Sequence, residues 1–187
     1  VSAHKVYGPK GVGALYRRRS NPRVNLEPRI YGGGQERGIR SGTLNVPGIV
    51  GLGEAMQIAH QEMGDAAAQC RSWTQQMYRQ LEEEIQGIQL NGHPTGRLPS
   101  NLNVSIPDID ARALVMNLKN TVVSTGSACS AASLEPSHVI LALGHGEERA
   151  HSAIRIGVGR SNDDDQIALA TARITGSVER LRALRCD

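Results

Sequence analysis

The sequence predicts an α/β fold, and two observations carry the expectation. Through residues 88–187, short apolar or alternating runs trade places with helical patterns. Ahead of them, Ile49, Leu52, Met56, Ala59 and Met63, then Trp73, Met77, Leu81 and Ile85, recur at helical spacing along one stripe. Residues 1–47 differ from both. They hold one apolar run and a long polar stretch, too little to close a core, and are expected to be the end of a larger domain. The expected organisation is therefore 1–47 and 48–187.

In chain order, GVGALYRRR (11–19) is short, apolar and Gly-flanked, and is expected to be a buried strand. The segment PRVNLEPRIYGGGQERGIRSGTLNVPG follows, rich in Gly, Pro and polar groups, and is expected to be a long ordered loop of the kind that carries function. The amphipathic helix then runs from Gly48 to about Gln86, with a bend or break expected at Gly64-Asp65. IQL (88–90) and Asn101–Ile106 are expected strands, and Asp110–Leu118 an expected helix capped by Asp108 or Asp110. A short strand at Val122–Ser124 leads to the loop TGSACSAAS. Ser137–Leu143 is expected to be helical and closed by Gly144, and Ser152–Val158 a strand. Ser161-Asn162-Asp163-Asp164-Asp165 suits the start of a last helix reaching about Arg185, since oxygen-bearing side chains and acids match its orphan N–H groups and dipole.

Composition excludes several classes. No apolar run approaches the roughly 18 residues that a membrane span needs. The start shows no signal-peptide pattern, and no Met precedes Met56, so a native beginning upstream of Val1 is expected. The net charge of +3 is mild, and the Arg clusters at 17–19 and 180–185 lack interleaved aromatics in a chain with no Phe and one Trp. A nucleic-acid stacking platform is therefore not expected. Cys70, Cys129 and Cys186 are far apart and form no C-x-x-C, which argues against a zinc knuckle or disulfide framework. Six histidines have no ligand spacing, so no metal site is expected, and a reducing, cytoplasmic compartment fits best.

Three side chains stand out for their chemistry. Lysine occurs only at 5, 10 and 119, so Lys5 in VSAHKVYGPK is unusual in a chain whose cations are otherwise Arg. GPKGVG (8–13) does not match a phosphate-loop or dinucleotide order, and is expected to be a tight turn. Cys129 lies among Gly126, Ser127, Ala128, Ser130, Ala131 and Ala132, where a thiol is approachable, though a structural cysteine is equally compatible with the residues alone. Arg155 sits within SAIRIGV, where a buried guanidinium needs either a structural carboxylate or a ligand carboxylate.

Taken in order, SAHKVYGPKGVGALY, YGGGQERGIRSGT, STGSACSAASLEPSHVILALG and SAIRIGVGR closely resemble the cysteine desulfurases, group I, within the class V aminotransferases of fold-type I pyridoxal-phosphate enzymes. The likeness covers essentially the whole chain. It implies the C-terminal part of the large cofactor domain over 1–47, and the interdomain helix with the small α/β domain over 48–187. By that resemblance, Lys5 is the lysine that joins covalently to pyridoxal phosphate, and Ser2 and His4 hold its phosphate. Thr43 reaches the phosphate of a neighbouring subunit, implying a homodimer. Cys129 is similar to the nucleophile that keeps the sulfur of L-cysteine as a persulfide for an iron–sulfur scaffold or another sulfur acceptor. Arg155 is similar to the clamp on the substrate carboxylate. The family residues that stack on the pyridine ring and pair with its nitrogen lie upstream of the lysine, so an N-terminal half is implied as well. A non-catalytic fragment carrying a persulfide and a class V aminotransferase of other specificity are the alternatives.

Overall fold

A computed structural model describes the chain except Arg23, residues 126–134 and residues 185–187. Contacts divide it into two compact units, Val1–Met63 and Gly64–Asp187.

In the first unit, a 3-10 turn spans Ala3–Val6 and a second spans Gln35–Gly38. The strand expected at 11–19 does not form. This stretch makes one isolated β-bridge, Ser2 with Gly13, flanked by backbone hydrogen bonds of Val12 and Ala14 to Ala3 and Val1, and Leu15 and Tyr16 beyond it are exposed. A strand needs a ladder on at least one side, and apolar composition alone does not supply one. The described residues of the segment from 20 to 45 form a loop apart from its 3-10 turn, as its Gly and Pro content predicts.

Helix α1 runs unbroken over Val46–Glu84. Asn45 caps it by accepting from the Gly48 N–H at 3.2 Å, and Pro47 sits in the first turn, where its missing donor costs nothing. The helix does not break at Gly64-Asp65. One interior Gly costs about 1 kcal/mol, and the strong helix formers Ala66, Ala67, Ala68 and Gln69 carry the helix through.

The second unit is built on a three-stranded antiparallel sheet, order β1 (Gln89–Leu90), β2 (Asn101–Ser105), β3 (Ala153–Gly157). Around it lie α2 (Ala111–Asn117), α3 (His138–Ala142), α4 (Glu147–His151) and α5 (Asp164–Ala183). Asp110, rather than Asp108, caps α2 by accepting from the N–H groups of Arg112 and Ala113. Asp163 caps α5 in the same way through Gln166 N–H. Gly144 follows α3 at φ +83°, a conformation that glycine adopts without strain. The expected strand at Val122–Ser124 is reduced to one bridge between Ser124 and Arg155. Helix α4 is absent from the sequence reading, since EERAH is too short to show a period.

The core packs the apolar stripe of α1 from Cys70 to Leu81, continued by Ile85 just past its end, with Leu102 and Val104 of β2, Ile154 and Ile156 of β3, and Ile167, Ile174 and Val178 of α5. Period-2 alternation does the sorting on the sheet: Leu102, Val104, Ile154 and Ile156 are buried on one face. The other face carries Asn101, Asn103 and Arg155, and at one end Ser105 and Ala153, which are buried, Ala153 against Ile140 of α3 and Ala150 of α4. No helix among the described residues is long and apolar enough to cross a membrane.

Candidate functional site

Three of the expected cofactor residues, Ser2, His4 and Lys5, share the 3-10 turn at the start of the first unit or its cap position. The turn is tied at both ends. Ala3 N–H donates to Val12 O at 3.0 Å, and Gly8 N–H donates back to Ala3 O at 2.8 Å. Ala3 is fully buried, whereas His4 and Lys5 are exposed. Tyr7 takes the left-handed conformation at φ +63° and turns the chain toward Gly8. A Cβ at Gly8 would stand 3.1 Å from the Cβ atoms of both Ala3 and Ala55, so glycine lets the turn lie this close to α1. The set is a primary amine with an imidazole and a hydroxyl on one pinned turn. It fits an aldehyde that also carries a phosphate: the amine can condense with the aldehyde, and the other two can hold an anion.

Thr43 lies in the loop before α1 and is exposed. That loop is knitted by Ser41 Oγ donating to Gly33 O, by Gly42 N–H donating to Gln35 Oε1, and by Arg40, whose guanidinium donates to the carbonyls of Gly42 and Thr43 at 2.9 and 3.1 Å. The hydroxyl of Thr43 is therefore carried on an ordered backbone.

Arg155 belongs to the second unit and overturns one expectation. It is not buried among its isoleucines. Strand alternation sends Ile154 and Ile156 inward and leaves Arg155 exposed on the opposite face, so it needs no structural carboxylate. It lines a cleft of about 470 Å³ whose wall also includes Asn103, Thr125, Glu135, His138 and His151. Arg97 and Arg112 reach the same cleft, which makes its lining rich in cations. Among the described residues no group of three or more His, Cys, Asp or Glu is arranged to hold a metal.

Cys129 lies outside the described residues, as does Cys186. The residues flanking the undescribed segment are nonetheless informative. Ser124 pairs with Arg155 through two backbone bonds, Arg155 N–H to Ser124 O at 2.6 Å and Ser124 N–H to Arg155 O at 3.0 Å. Thr125 and Glu135, which bracket residues 126–134, both line the cleft. Cys70, by contrast, is buried in α1, and burial pushes its thiol up from the ordinary range, away from reactivity.

Sequence reasoning missed the polar layer behind the cleft. Asn91 is 2% exposed and Ser105 1%, yet each is hydrogen-bonded. Asn91 Nδ2 donates to Asn103 Oδ1 and to Ser105 Oγ, both at 2.8 Å. Asn91 Oδ1 accepts from Arg149 Nε at 2.7 Å, and Ser105 Oγ donates to Arg149 O at 2.7 Å. The signal was present in the alternation Asn101-Leu102-Asn103-Val104-Ser105, where every second residue of a strand is polar. A one-sided sheet has one face to offer a ligand.

Comparison with known proteins follows the same lines. The model of the family described as Aminotransferase class-V matches residues 1–169. Among curated relatives, the cysteine desulfurase IscS of Stutzerimonas stutzeri (strain A1501) is 49% identical over 183 residues, covering 98% of this chain and 45% of that protein. The IscS of Anaeromyxobacter dehalogenans (strain 2CP-C) is 47% identical over 184 residues, again 98% and 45%. The chain thus spans about half the length of the curated relatives it matches, and corresponds to their C-terminal half. Among solved structures, a NifS-like protein superposes with a TM-score of 0.81 at 36% identity, covering 95% of this chain and 45% of that one. DndA from Streptomyces lividans gives 0.62 at 34% identity, with coverages of 84% and 45%. On these likenesses the chain belongs to the class V aminotransferase family of pyridoxal-phosphate enzymes.

Proposed function

We propose that this chain is the C-terminal half of a group I cysteine desulfurase, which converts L-cysteine to L-alanine and keeps the sulfur as a persulfide on Cys129. One observation carries the reading: Arg155 is joined by backbone hydrogen bonds to Ser124, five residues before Cys129, at the wall of one cleft. The stretch of chain that leads to the proposed thiol thus starts from the strand pairing that carries the proposed clamp.

Each residue has a definite task. Arg155 grips the substrate carboxylate with its planar fork. Lys5 would bond to pyridoxal phosphate and move the substrate α-proton, while Ser2 and His4 hold the phosphate and Thr43 does so for the partner subunit of a homodimer. When bound, pyridoxal phosphate supplies the electron sink that makes bonds around the substrate α-carbon labile. Cys129 sulfur forms a bond to the substrate sulfur as the Cβ–S bond breaks. Overall, the substrate thiol sulfur is exchanged for hydrogen at Cβ, giving L-alanine, and the enzyme thiol becomes a persulfide. An acceptor protein for iron–sulfur or thio-cofactor assembly then collects that sulfur. The reading carries a reducing cytoplasmic setting, to which the free thiol of Cys70 is suited.

The relatives are about twice as long, and the rest of the protein is proposed to supply the groups around the cofactor ring. The test is the full-length protein loaded with cofactor and given L-cysteine. L-alanine release together with a gain of one sulfur atom on the Cys129 peptide supports the proposal. Alanine release with no sulfur on that peptide, or no alanine at all, overturns it.

A further inference from the structure

Among the donors in the cleft, Asn103 has an orientation that can be worked out from its neighbours. Arg149 has only donors to offer. Its Nε contact at 2.7 Å therefore fixes the near atom of the Asn91 amide as the oxygen. The other end of Asn91 is then the NH2 group, and whatever it meets must accept. It meets Asn103 and Ser105. Ser105 complies because its own proton goes to Arg149 O. Asn103 complies by presenting Oδ1, which leaves its NH2 as the end turned away from Asn91. A chain of four residues thus assigns an amide orientation from one obligate donor.

Register then decides what that NH2 stands beside. Asn103 pairs directly with Arg155 across β2 and β3, so the two side chains leave the same face of the sheet, about 5 Å apart at Cβ. Both line the cleft. Asn91 and Ser105 are almost wholly buried, so the arrangement behind Asn103 is shielded from competing water.

We propose that Asn103 is a second carboxylate-binding residue, its side-chain N–H donating to the ligand oxygen that Arg155 also holds, with Asn91 and Arg149 as positioning residues that fix its donor end toward the cleft. The inference rests on the proposed reading of Arg155 as the carboxylate clamp. It adds an uncharged, directional donor to a guanidinium that alone would tolerate several carboxylate tilts. Specificity for an α-amino acid held in one orientation follows.

The experiment uses the full-length, cofactor-loaded enzyme with Asn103→Ala, Asn91→Asp and Arg155→Ala. Asn103→Ala removes the donor without adding charge. Asn91→Asp keeps an acceptor for Arg149 but presents oxygen to Asn103, so the Asn103 amide turns and its carbonyl faces the cleft. Both are expected to raise KM for L-cysteine roughly tenfold, with kcat changed less than about twofold; Asn103→Ala also leaves one N–H of the buried Asn91 without its acceptor, so its melting midpoint falls while the folded enzyme still carries the KM reading. An unchanged KM in Asn103→Ala, while Arg155→Ala raises it, overturns the role of Asn103 and leaves the clamp standing. KM unmoved in all three overturns both. Should the wild-type enzyme not turn over L-cysteine, the affinity for L-alanine measured by calorimetry decides: equal affinity in wild type and Asn103→Ala overturns the inference, and a weakening of about tenfold upholds it. Should Asn103→Ala fail to fold, Asn103→Ser, which keeps a donor too short to reach, gives the same readings.

Discussion

The indole N–H of Trp73 donates to a carboxylate oxygen of Asp164, joining α1 to the first turn of α5 across 91 residues of sequence. Trp73 is 5% exposed, and its only polar atom is served by an acid that also faces the positive end of α5. Asp164→Ala would leave that N–H without its acceptor and take a charge from the helix terminus. The expected loss is about 1–2 kcal/mol. Trp73 is the chain's one tryptophan, so the shift in its emission during urea unfolding measures the loss directly.

Neighbouring residues on β3 should behave in opposite ways. Ile154 is fully buried, and Ile154→Ala is expected to cost about 2–5 kcal/mol in unfolding free energy. Arg155 is exposed on the other face, so Arg155→Ala should leave stability within about 0.5 kcal/mol. Its effect belongs to binding: loss of a two-point grip on carboxylate should raise KM for L-cysteine about a hundredfold. Chemical denaturation and steady-state kinetics on the same pair of variants separate the two.

Asp110 predicts an acid-sensitive helix end. Burial alone would raise its pKa, but the N–H of Ala113, the Arg112 side chain and the Arg112 N–H favour the ionised form and together hold the carboxyl below its ordinary value. A folded-state pKa below the unfolded one means the contribution is present above the unfolded value, near pH 4, and is lost as pH falls through the lower folded value. Asp110→Ala should cost about 1 kcal/mol at neutral pH, and the gap from wild type should narrow below pH 4. Stability curves at a series of pH values test this.

The cysteines should divide by reactivity. Cys70 is buried with its thiol pushed up, and alkylation by iodoacetamide at neutral pH should spare it until the protein unfolds. Cys129 should be alkylated in the folded enzyme, and L-cysteine should protect it. Peptide mass mapping before and after denaturation reads both. Rapid labelling of Cys70 in the folded state would contradict its burial.

Gly8 offers a test of the lysine turn. With Ala3 and Ala55 each 3.1 Å from where a Cβ would stand, Gly8→Val should push the turn away from α1. Cofactor occupancy of the full-length enzyme, followed by absorbance, should fall while secondary structure by circular dichroism is retained.

Much of the second unit could be read before any coordinates, because its residues announce their surroundings locally. The alternation in NLNVS, the acids before α5 and the stripe from Trp73 to Ile85 each mark an element, and each is found. The first unit was read less well. GVGALY has strand composition, but strandhood depends on a partner ladder, which is not a local property. Gly64 looked like a break because a local rule was applied to a helix whose neighbouring residues outweigh it. Arg155 was located correctly yet given the wrong surroundings, since its isoleucine neighbours in sequence lie on the opposite face in space. Asn91, Asn103 and Arg149 escaped notice because their meaning lies in a relay among residues up to 58 apart.

The pairing of Asn103 with Arg155 has a consequence for quality control during folding. The ladder that sets Asn103 opposite Arg155 also sets Leu102 opposite Ile156 and Val104 opposite Ile154. Sliding one strand by a single residue would invert its faces, turning Arg155 or the asparagines into the core and the isoleucines or Leu102 into water. Such a molecule would lose its hydrophobic interior together with its clamp. Misassembled copies with an intact fold but the wrong residues on the ligand face are thereby suppressed, and a soluble, cooperatively melting preparation already vouches for the strand register beneath its cleft.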